Sequence, residues 1–214
     1  MVSTTKELSV VSYTRNSGKG YAIMQGLQKS RADIIVWMDA DLSIHPRNII
    51  HCLDIMETSD CDIVIASKRH PSSRIIYPVH RRFLSFAFNI VVKMLFRSKI
   101  SDTQCGFKVL RKKVISSTIQ FVKGKRFAFD AEFLVRAERL GYKIEEAPIS
   151  MTHRESSRVN FREIMIMAGD LIQLRVDLIR HLQPKLLRKP STKTAKLLSQ
   201  SDSPQENVLS TTHK

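Results

Sequence analysis

The sequence predicts an α/β fold built on a mostly parallel sheet, and three observations support this prediction. Residues 33–38 (DIIVWM) and 62–66 (DIVIA) each contain a continuous apolar run after a first aspartate, the pattern of strands that are buried on both faces. Apolar residues at helical spacing precede the first run and recur between the two runs. Such an alternation of strands and helices is typical of parallel strands joined by crossover helices.

The individual elements follow in chain order. Residues 8–13 are a strand candidate, and residues 19–30 have apolar side chains at helical spacing. Proline is favoured in the first turn of a helix, so Pro46 predicts a helix that continues to about residue 58. After the strand at 62–66 we expect a helix near 80–97, a strand near 106–110, a helix near 129–140 ended by Gly141, a strand near 142–151 and a long helix near 160–181.

Composition divides the chain into a domain at residues 1–182 and a basic, Ser/Thr-rich tail at residues 183–214 that we expect to be disordered. Of the 214 residues, 43% are hydrophobic, which excludes a wholly disordered protein. No apolar run reaches about 18 residues, so we expect no membrane-spanning helix. Three scattered cysteines favour a reducing compartment over a disulfide framework or a zinc site.

The chain is strongly basic, with 35 Lys and Arg against 20 Asp and Glu and a formal net charge of +15. Such a surface attracts nucleic acid, a phosphorylated substrate or an anionic membrane face. No recognised nucleic-acid motif is present, and few aromatic residues lie among the basic ones, so we expect no nucleic-acid partner. Composition does not choose between the other two partners.

Asp39 and Asp41 directly follow the apolar run that ends at Met38. In an open parallel sheet, ligands bind beyond the carboxyl ends of the strands. Two carboxylates in such a loop can share Mg²⁺ or Mn²⁺, which typically takes one or two carboxylates together with phosphate oxygens. The alternative is a pair of solvated loop acids or a cap for the helix that follows.

Two basic segments could bind phosphate near these acids. Residues 16–20 (NSGKG) open a helix, where glycines, backbone N–H groups and Lys19 favour an anion, although the segment is not a P-loop. Lys68 and Arg69 follow the second buried run and are expected at the same sheet edge. The alternatives are a plain strand-to-helix turn for the first segment and a solvated basic turn for the second.

The helix expected at residues 80–97 carries one narrow polar stripe on an otherwise apolar surface. Its polar residues recur at every fourth position: Arg81, Ser85, Asn89, Lys93 and Arg97. Its apolar span is about 21 Å long at 1.5 Å per residue, which is shorter than a bilayer core. The helix is therefore either buried in the core or lies in a membrane interface.

Three further segments carry polar residues, and two of them also contain aromatic residues. Residues 102–108 (DTQCGFK) and 127–132 (FAFDAE) have aromatic side chains that suit a core. Asp130 and Glu132 lie at a helix start, where acids are favoured without any catalytic role. Residues 153–158 (HRESSR) form a cationic loop that is either a lid over an anionic substrate or a simple connection.

Together these segments resemble glycosyltransferase family 2, specifically its polyprenyl-phosphate glycosyltransferases, with the nearest likeness to dolichyl-phosphate β-glucosyltransferases. The matching segments are residues 16–22 (NSGKGYA), 38–41 (MDAD), 65–69 (IASKR), 102–108 (DTQCGFK), 126–132 (RFAFDAE) and 153–158 (HRESSR). Residues 102–108 are the most specific of the six. The resemblance covers about residues 10–180 and leaves out the tail.

The resemblance implies a nucleotide-sugar-binding fold of the GT-A type and the transfer of a hexose, from UDP-glucose or a similar donor, to a polyprenyl or dolichyl phosphate. By this likeness Asp39 and Asp41 hold Mg²⁺ or Mn²⁺ on the donor diphosphate, and Lys19 lies near the donor. Asp130 and Glu132 are the implied catalytic acids near the sugar and the acceptor. The implied location is the cytoplasmic face of an anionic membrane, with peripheral attachment.

The same resemblance assigns a group of cations and one serine to the acceptor phosphate. They are Lys68 or Arg69 with Arg81 and Ser85, and Arg154 and Arg158 in a mobile loop. The family usually has Ser-Arg where this chain has Ser67-Lys68-Arg69, which leaves the identity of the phosphate-binding cation open.

A second departure concerns the N-terminal unit. Members of the family usually begin with a strand that ends in a Pro-x-Tyr-Asn-Glu-like segment, followed by a helix and a further strand, and this unit is not found before Asn16. We therefore expect an N-terminally incomplete fold and weak activity, with the defect on the donor side. The alternative is a non-catalytic remnant that binds a membrane surface or a lipid phosphate.

Overall fold

The computed structural model describes residues 9–76, 79–124, 128–152 and 161–181. Within these ranges the elements are, in order, α1 (Lys19–Lys29), β1 (Ile34–Met38), α2 (Asn48–Thr58), β2 (Ile63–Ser67), β3 (Arg74–Ile76), α3 (Val79–Phe96), β4 (Phe107–Arg111), α4 (Lys112–Thr118), a 3₁₀ turn (Ile119–Phe121), α5 (Ala128–Arg139), β5 (Ile144–Pro148), β6 (Ser150–Thr152) and α6 (Phe161–His181). In this part of the chain, no helix is both long and apolar enough to cross a membrane.

The main sheet has the strand order β1-β4-β2-β5. Strands β2 and β5 are parallel, whereas β4 is antiparallel to both β1 and β2. Three of the four strands therefore run in the same direction, with β4 inserted between β1 and β2 in the opposite sense. Strands β3 and β6 form a separate parallel pair. The predicted α/β fold with a mostly parallel sheet is confirmed, with β4 as the exception.

The two apolar runs differ in burial because they occupy different positions in the sheet. β2 lies inside the sheet, and all five of its residues are buried as the sequence predicts. β1 lies at the edge, where Ile35 and Trp37 are buried but Ile34 is 37% exposed. The prediction that residues 33–38 are buried on both faces therefore holds only in part, because Val36 and Met38 on the second face are partly buried.

Apolar side chains on both faces of the sheet form the core. On one face, β1 and β2 pack with α1, α4 and α5, and Trp37 contacts the rings of Phe129 and Phe133. On the other face, β2 and β4 pack with α2 through Cys52 and Met56. Burying each large apolar side chain contributes about 1.5–3 kcal/mol, so these contacts hold in place the end of the sheet that carries the site.

A third cluster joins α3, α5 and α6 beside the sheet. It contains Val92 and Phe96 of α3, Ala131 and Val135 of α5, and Leu171, Leu174 and Leu178 of α6. These residues recur at intervals of three and four, as expected for helices that pack along one apolar stripe. The helices predicted near 80–97 and 160–181 are therefore confirmed, and each packs one side against α5.

Several predicted elements need correction. Residues 9–13 are not a strand, so the candidate at 8–13 is wrong for the part that the structure describes. The strand expected near 142–151 is divided at Ile149 into β5 and β6, which belong to different sheets. The sequence patterns also missed β3 and α4, which are short. The boundary at residue 182 stays a prediction, because the tail lies outside the described residues.

Candidate active site

The turn after β1 carries two carboxylates, those of Asp39 and Asp41, at the C-terminal end of this strand. The backbone N–H of Asp39 donates to the carbonyl oxygen of Gly106 at 2.9 Å, which extends the pairing of β1 with β4. Asp41 Oδ1 accepts a hydrogen bond from the backbone N–H of Ser43 at 3.0 Å. Leu42 has a φ of 53°, an uncommon conformation for a branched residue that marks a constrained turn.

Lys19 approaches this turn from the start of α1. Gly18 precedes the helix with a φ of 93°, a conformation that favours glycine, and its N–H donates to Asn16 Oδ1 at 3.0 Å. The Nζ atom of Lys19 lies 2.8 Å from Asp39 Oδ1 and 3.8 Å from Asp130 Oδ2. Burial alone would lower the pKa of Lys19, but the charges of Asp130 and Asp39 outweigh burial and raise it, so the ammonium form is favoured.

Asp130 lies in the first turn of α5 and is almost completely buried with Lys108. Lys108 Nζ donates to Asp130 Oδ1 at 2.5 Å and to the carbonyl oxygen of Cys105 at 2.6 Å. It also lies over the ring of Trp37, 4.4 Å from the centroid. A buried charge is tolerated when it is paired and hydrogen-bonded, as Lys108 is here.

Gly106 allows Asp39 to approach the start of β4. A Cβ atom at residue 106 would lie 1.9 Å from Asp39 Oδ2 and 2.3 Å from its Cγ. No side chain fits in that space while the Asp39 carboxylate keeps its position. The glycine of the DTQCGFK segment therefore shapes the site.

Asp102, at the other end of this segment, is fully buried beside the end of β2. Its Oδ2 accepts from the backbone N–H of Lys68 at 3.0 Å, and Lys68 Nζ lies 3.7 Å away. Its Oδ1 accepts from the N–H of Gln104 at 3.2 Å. Asp102 therefore fixes the backbone that carries Lys68 and Arg69.

Arg69 extends from the same turn towards α3. Its guanidinium carbon lies 5.2 Å from the centroid of the Phe86 ring, and its backbone N–H donates to Ser67 Oγ at 3.2 Å. Arg69 Nε is buried and has no hydrogen-bond partner among the described residues. A buried donor without a partner is costly, so this nitrogen is suited to an incoming acceptor oxygen.

Glu132 is held on a different side of α5 from Asp130. Two positions along a helix differ by about 200°, so Asp130 and Glu132 point in nearly opposite directions. Glu132 accepts hydrogen bonds from the N–H groups of Lys123 and Gly124 at 3.1 and 2.7 Å and from Arg136 Nε at 2.8 Å. The catalytic role implied for Glu132 stays a prediction, and its contacts are those of a residue that supports the fold.

The structure thus brings together Lys19, Asp39 and Asp130, with Asp41 in the adjoining turn. Lys68 and Arg69 lie at the end of β2, the strand on the far side of β4 from β1. The backbones of Arg81 and Ser85 lie in α3, but their side chains are outside the described residues, as are Arg154 and Arg158. Sequence reasoning assigned no role to three residues that shape the site: Asp102, Gly106 and Lys108.

The donor atoms at the β1 turn fit a hard divalent cation. Asp39 and Asp41 provide carboxylate oxygens, and the ammonium of Lys19 already occupies a cation position on Asp39. Across the described ranges, no three His, Cys, Asp or Glu side chains are grouped so as to hold a metal ion. A metal at this turn would therefore have at most these two carboxylates and would take its other ligands from phosphate oxygens and water.

Known proteins resemble this chain over most of its length. Residues 3–118 match the family model described as Glycosyl transferase family 2. Glycosyltransferase AglD of Haloferax volcanii is 26% identical over 183 residues, which are 85% of this chain and 29% of that protein. Dolichyl-phosphate beta-glucosyltransferases of Dictyostelium discoideum and Trichomonas vaginalis are 29% and 30% identical, over 80% and 75% of this chain. The chain spans about half the length of these two relatives, 54% and 51%.

Solved structures confirm the fold. Glucosyl-3-phosphoglycerate synthase from Mycobacterium tuberculosis, in complex with Mn²⁺, UDP and phosphoglyceric acid, superposes with a TM-score of 0.56 at 18% identity. The match covers 84% of this chain and 58% of that enzyme. Its complex with Mn²⁺, UDP-glucose and phosphoglyceric acid gives a TM-score of 0.55 over 73% of this chain and 53% of that enzyme, at 16% identity. The predicted GT-A type fold is therefore confirmed.

Proposed function

This chain belongs to glycosyl transferase family 2, and we propose that it transfers a hexose from a nucleotide sugar, UDP-glucose or similar, to a polyprenyl or dolichyl phosphate. The observation that carries the proposal is the cluster of Lys19, Asp39 and Asp130 where β1 ends beside Gly106. The relatives named as dolichyl-phosphate glucosyltransferases support the lipid acceptor. The neighbouring enzyme crystallised with UDP and Mn²⁺ supports the donor and a divalent metal.

On the donor side, Asp39 and Asp41 would hold Mg²⁺ or Mn²⁺ against the diphosphate. When bound, this metal supplies Lewis-acid stabilisation of the negative charge that develops on the leaving nucleoside diphosphate. Lys19 adds a positive charge beside the same group, 2.8 Å from Asp39. The N-terminus of α1, where Gly18 allows close approach of the backbone, also favours an anion.

On the acceptor side, the nucleophile does not need a strong general base. A phosphate monoester has its second pKa near about 6, so at neutral pH it is largely a dianion. Arg69 Nε has no hydrogen-bond partner within the part of the chain that the structure describes, and with Lys68 in the same turn it suits a phosphate oxygen at the end of β2. Holding two anionic reactants together supplies proximity, and in-line attack on the anomeric carbon would invert its configuration.

The other implied roles rest mainly on family likeness. Arg81 and Ser85 in α3 would also bind the acceptor phosphate, together with Arg154 and Arg158, which the sequence predicts to lie in a loop. Asp130 is the better supported of the two implied catalytic acids, because it faces Lys19. Glu132 is retained as the second, although its contacts are with the segment before α5 and with Arg136.

The proposal includes a location, peripheral attachment to the cytoplasmic face of an anionic membrane. An acceptor with a long hydrocarbon chain requires the enzyme to work at a lipid surface. Helix α3 has an exposed apolar row, Phe86, Ile90 and Met94, which are 49%, 37% and 75% exposed. The net charge of +15 complements anionic headgroups.

The proposal can be tested with the full chain, labelled UDP-glucose, Mn²⁺ and a short-chain polyprenyl phosphate. We expect a glucosylated lipid, no product when EDTA removes the metal, and a loss of at least about 100-fold in Asp39→Asn or Asp41→Asn. Asp33→Asn is the matched control, because that acid is exposed just before β1. Full activity in Asp39→Asn would refute the metal role. Lipid-phosphate binding without any UDP-glucose binding would favour the non-catalytic module.

A further inference from the structure

The ammonium group of Lys19 lies between two carboxylates of different character. It is 2.8 Å from Asp39 Oδ1 and 3.8 Å from Asp130 Oδ2. The side chain of Asp39 is 44% exposed, whereas that of Asp130 is 2% exposed. Lys19 therefore pairs most closely with Asp39, the more exposed carboxylate, which a metal would need. The buried carboxylate of Asp130 also lies near the Lys19 ammonium.

We propose that Lys19 is a resident counterion of Asp39 that a divalent metal displaces and that moves onto Asp130. The inference rests on the metal role of Asp39 proposed above. The two distances differ by 1.0 Å, so a small rotation of the lysine side chain is sufficient for the transfer. Lys19 then keeps a carboxylate partner and stays beside the diphosphate.

Electrostatics favour this exchange once the metal arrives. A divalent ion and an ammonium group that share one carboxylate repel each other, and this repulsion is strong where water is partly excluded. Asp130 offers an attractive alternative because burial leaves its charge poorly screened by solvent. Before a metal binds, Lys19 neutralises the negative charge of Asp39.

Lys108 prepares Asp130 for this role. Its Nζ binds Asp130 Oδ1 and the carbonyl oxygen of Cys105, which fixes the carboxylate with Oδ2 directed to Lys19. The four charges alternate in the order Lys108, Asp130, Lys19 and Asp39. Lys108 is thus a positioning residue that acts through Asp130.

The first test measures Mn²⁺ binding to the full chain without nucleotide, from the electron paramagnetic resonance signal of free Mn²⁺. We expect Lys19→Met to bind Mn²⁺ about fivefold or more tightly than the wild type, because the metal no longer displaces a cation. Lys29→Met, an exposed lysine at the other end of α1, removes the same charge and should change affinity by less than about twofold. Equal Mn²⁺ affinity in Lys19→Met and the wild type would overturn the exchange.

Asp39→Asn separates this inference from the proposed function. If Asp39→Asn binds Mn²⁺ as well as the wild type, the metal role of Asp39 fails, and the exchange fails with it. If Asp39→Asn loses Mn²⁺ while Lys19→Met gains nothing, the metal role is supported and the exchange alone is wrong.

The second test concerns the destination of Lys19. In the wild-type background, Asp130→Asn removes the carboxylate that would receive the displaced Lys19 ammonium, so it should weaken Mn²⁺ binding. In the Lys19→Met background there is no ammonium to displace, and we expect the same change to weaken Mn²⁺ binding at least about threefold less. Equal effects in the two backgrounds would contradict the move to Asp130. If Asp130→Asn alone does not fold because Lys108 is left unpaired, the double variant Lys108→Met/Asp130→Asn replaces it and carries the same expectation.

Discussion

A Cβ atom at Gly106 would lie 1.9 Å from Oδ2 of Asp39, so the carboxylate occupies the space that any other residue would fill. The same two residues are joined through their backbones, because the Asp39 N–H donates to the Gly106 carbonyl oxygen at 2.9 Å. The pairing of β1 with β4 and the position of the Asp39 carboxylate are therefore set together.

Gly106→Ala should displace the Asp39 carboxylate with little effect on stability. The added methyl group would clash with the end of the short Asp39 side chain, which can rotate away. A rotated carboxylate would no longer contact Lys19 or reach the metal position. We expect a change in unfolding free energy of less than about 1.5 kcal/mol and a loss of at least about tenfold in metal-dependent nucleotide binding. Urea unfolding and calorimetry with UDP and Mn²⁺ measure the two effects.

Gly26→Ala is the control for that change. Gly26 lies inside α1, and a Cβ atom there has nothing within 4 Å. Alanine is favoured over glycine inside a helix, so this variant should be more stable by about 0.5–1 kcal/mol and bind nucleotide normally. Normal nucleotide binding in Gly106→Ala would show that the carboxylate position is not critical.

Gly106 also illustrates what sequence reasoning could and could not predict. The apolar run at 62–66 and the acids after β1 were predictable, because burial and strand ends follow from local patterns. The antiparallel direction of β4 was not, since periodicity does not encode strand direction. The contact between Gly106 and Asp39 depends on the register that pairs Met38 with Phe107, which only the folded sheet defines.

For the two acids of α5, Asp130 and Glu132, the sequence contained more information than family likeness suggested. Family likeness grouped Asp130 with Glu132, but helical phase already separates residues two positions apart by about 200°. Applying that phase to the predicted helix would have assigned the pair to different sides. The partners themselves, Lys108 for Asp130 and Arg136 for Glu132, could be identified only from tertiary contacts or from the spacing of four residues to Arg136.

Glu132→Ala should destabilise the fold. The change leaves the N–H groups of Lys123 and Gly124 without their acceptor and breaks a buried pair with Arg136, which also contacts Asp177 of α6. We expect a loss of about 3–5 kcal/mol in unfolding free energy, measured by urea denaturation. Glu57→Ala, on the exposed side of α2, should cost less than about 0.5 kcal/mol. A stable Glu132→Ala protein that lacks transferase activity would instead support the catalytic role.

The buried thiols should make stability fall at alkaline pH. Burial, followed by the charge of Asp102, raises the pKa of Cys105 to about 12, and burial, followed by Cys61, raises the pKa of Cys52 to about 11. Both thiols stay protonated in the fold after their unfolded counterparts ionise near pH 9.0, so the native state binds more protons. Their contribution to stability is complete below that pH and decreases as pH rises towards 11–12.

Denaturant unfolding between pH 8 and 10.5 measures this slope, and Cys52→Ala should reduce it. Alkylation gives a second measurement, because the thiolate is the reactive form. We expect iodoacetamide to label Cys52 and Cys105 at least about 100-fold more slowly in the native protein than in urea at pH 8.5. Rapid labelling of both thiols in the native protein would contradict their burial.

The exposed row on α3 should bind an anionic lipid surface. Phe86, Ile90 and Met94 are spaced four residues apart and lie on one side of the helix, while Val92 on the other side packs against α5 and α6. Inserting apolar side chains into an interface is favourable by about 1.5–3 kcal/mol each when burial is complete, and basic residues add attraction that salt weakens. Replacing Ile90 and Met94 with Glu should therefore reduce binding to phosphatidylserine vesicles at least about tenfold in a flotation assay at low salt.

Ile50→Glu is the matched control, because Ile50 is 67% exposed on α2 and should affect vesicle binding by less than about twofold. If Ile50→Glu weakens binding as much as the α3 double variant, or if the wild type does not float at low salt, α3 is not the membrane-binding face.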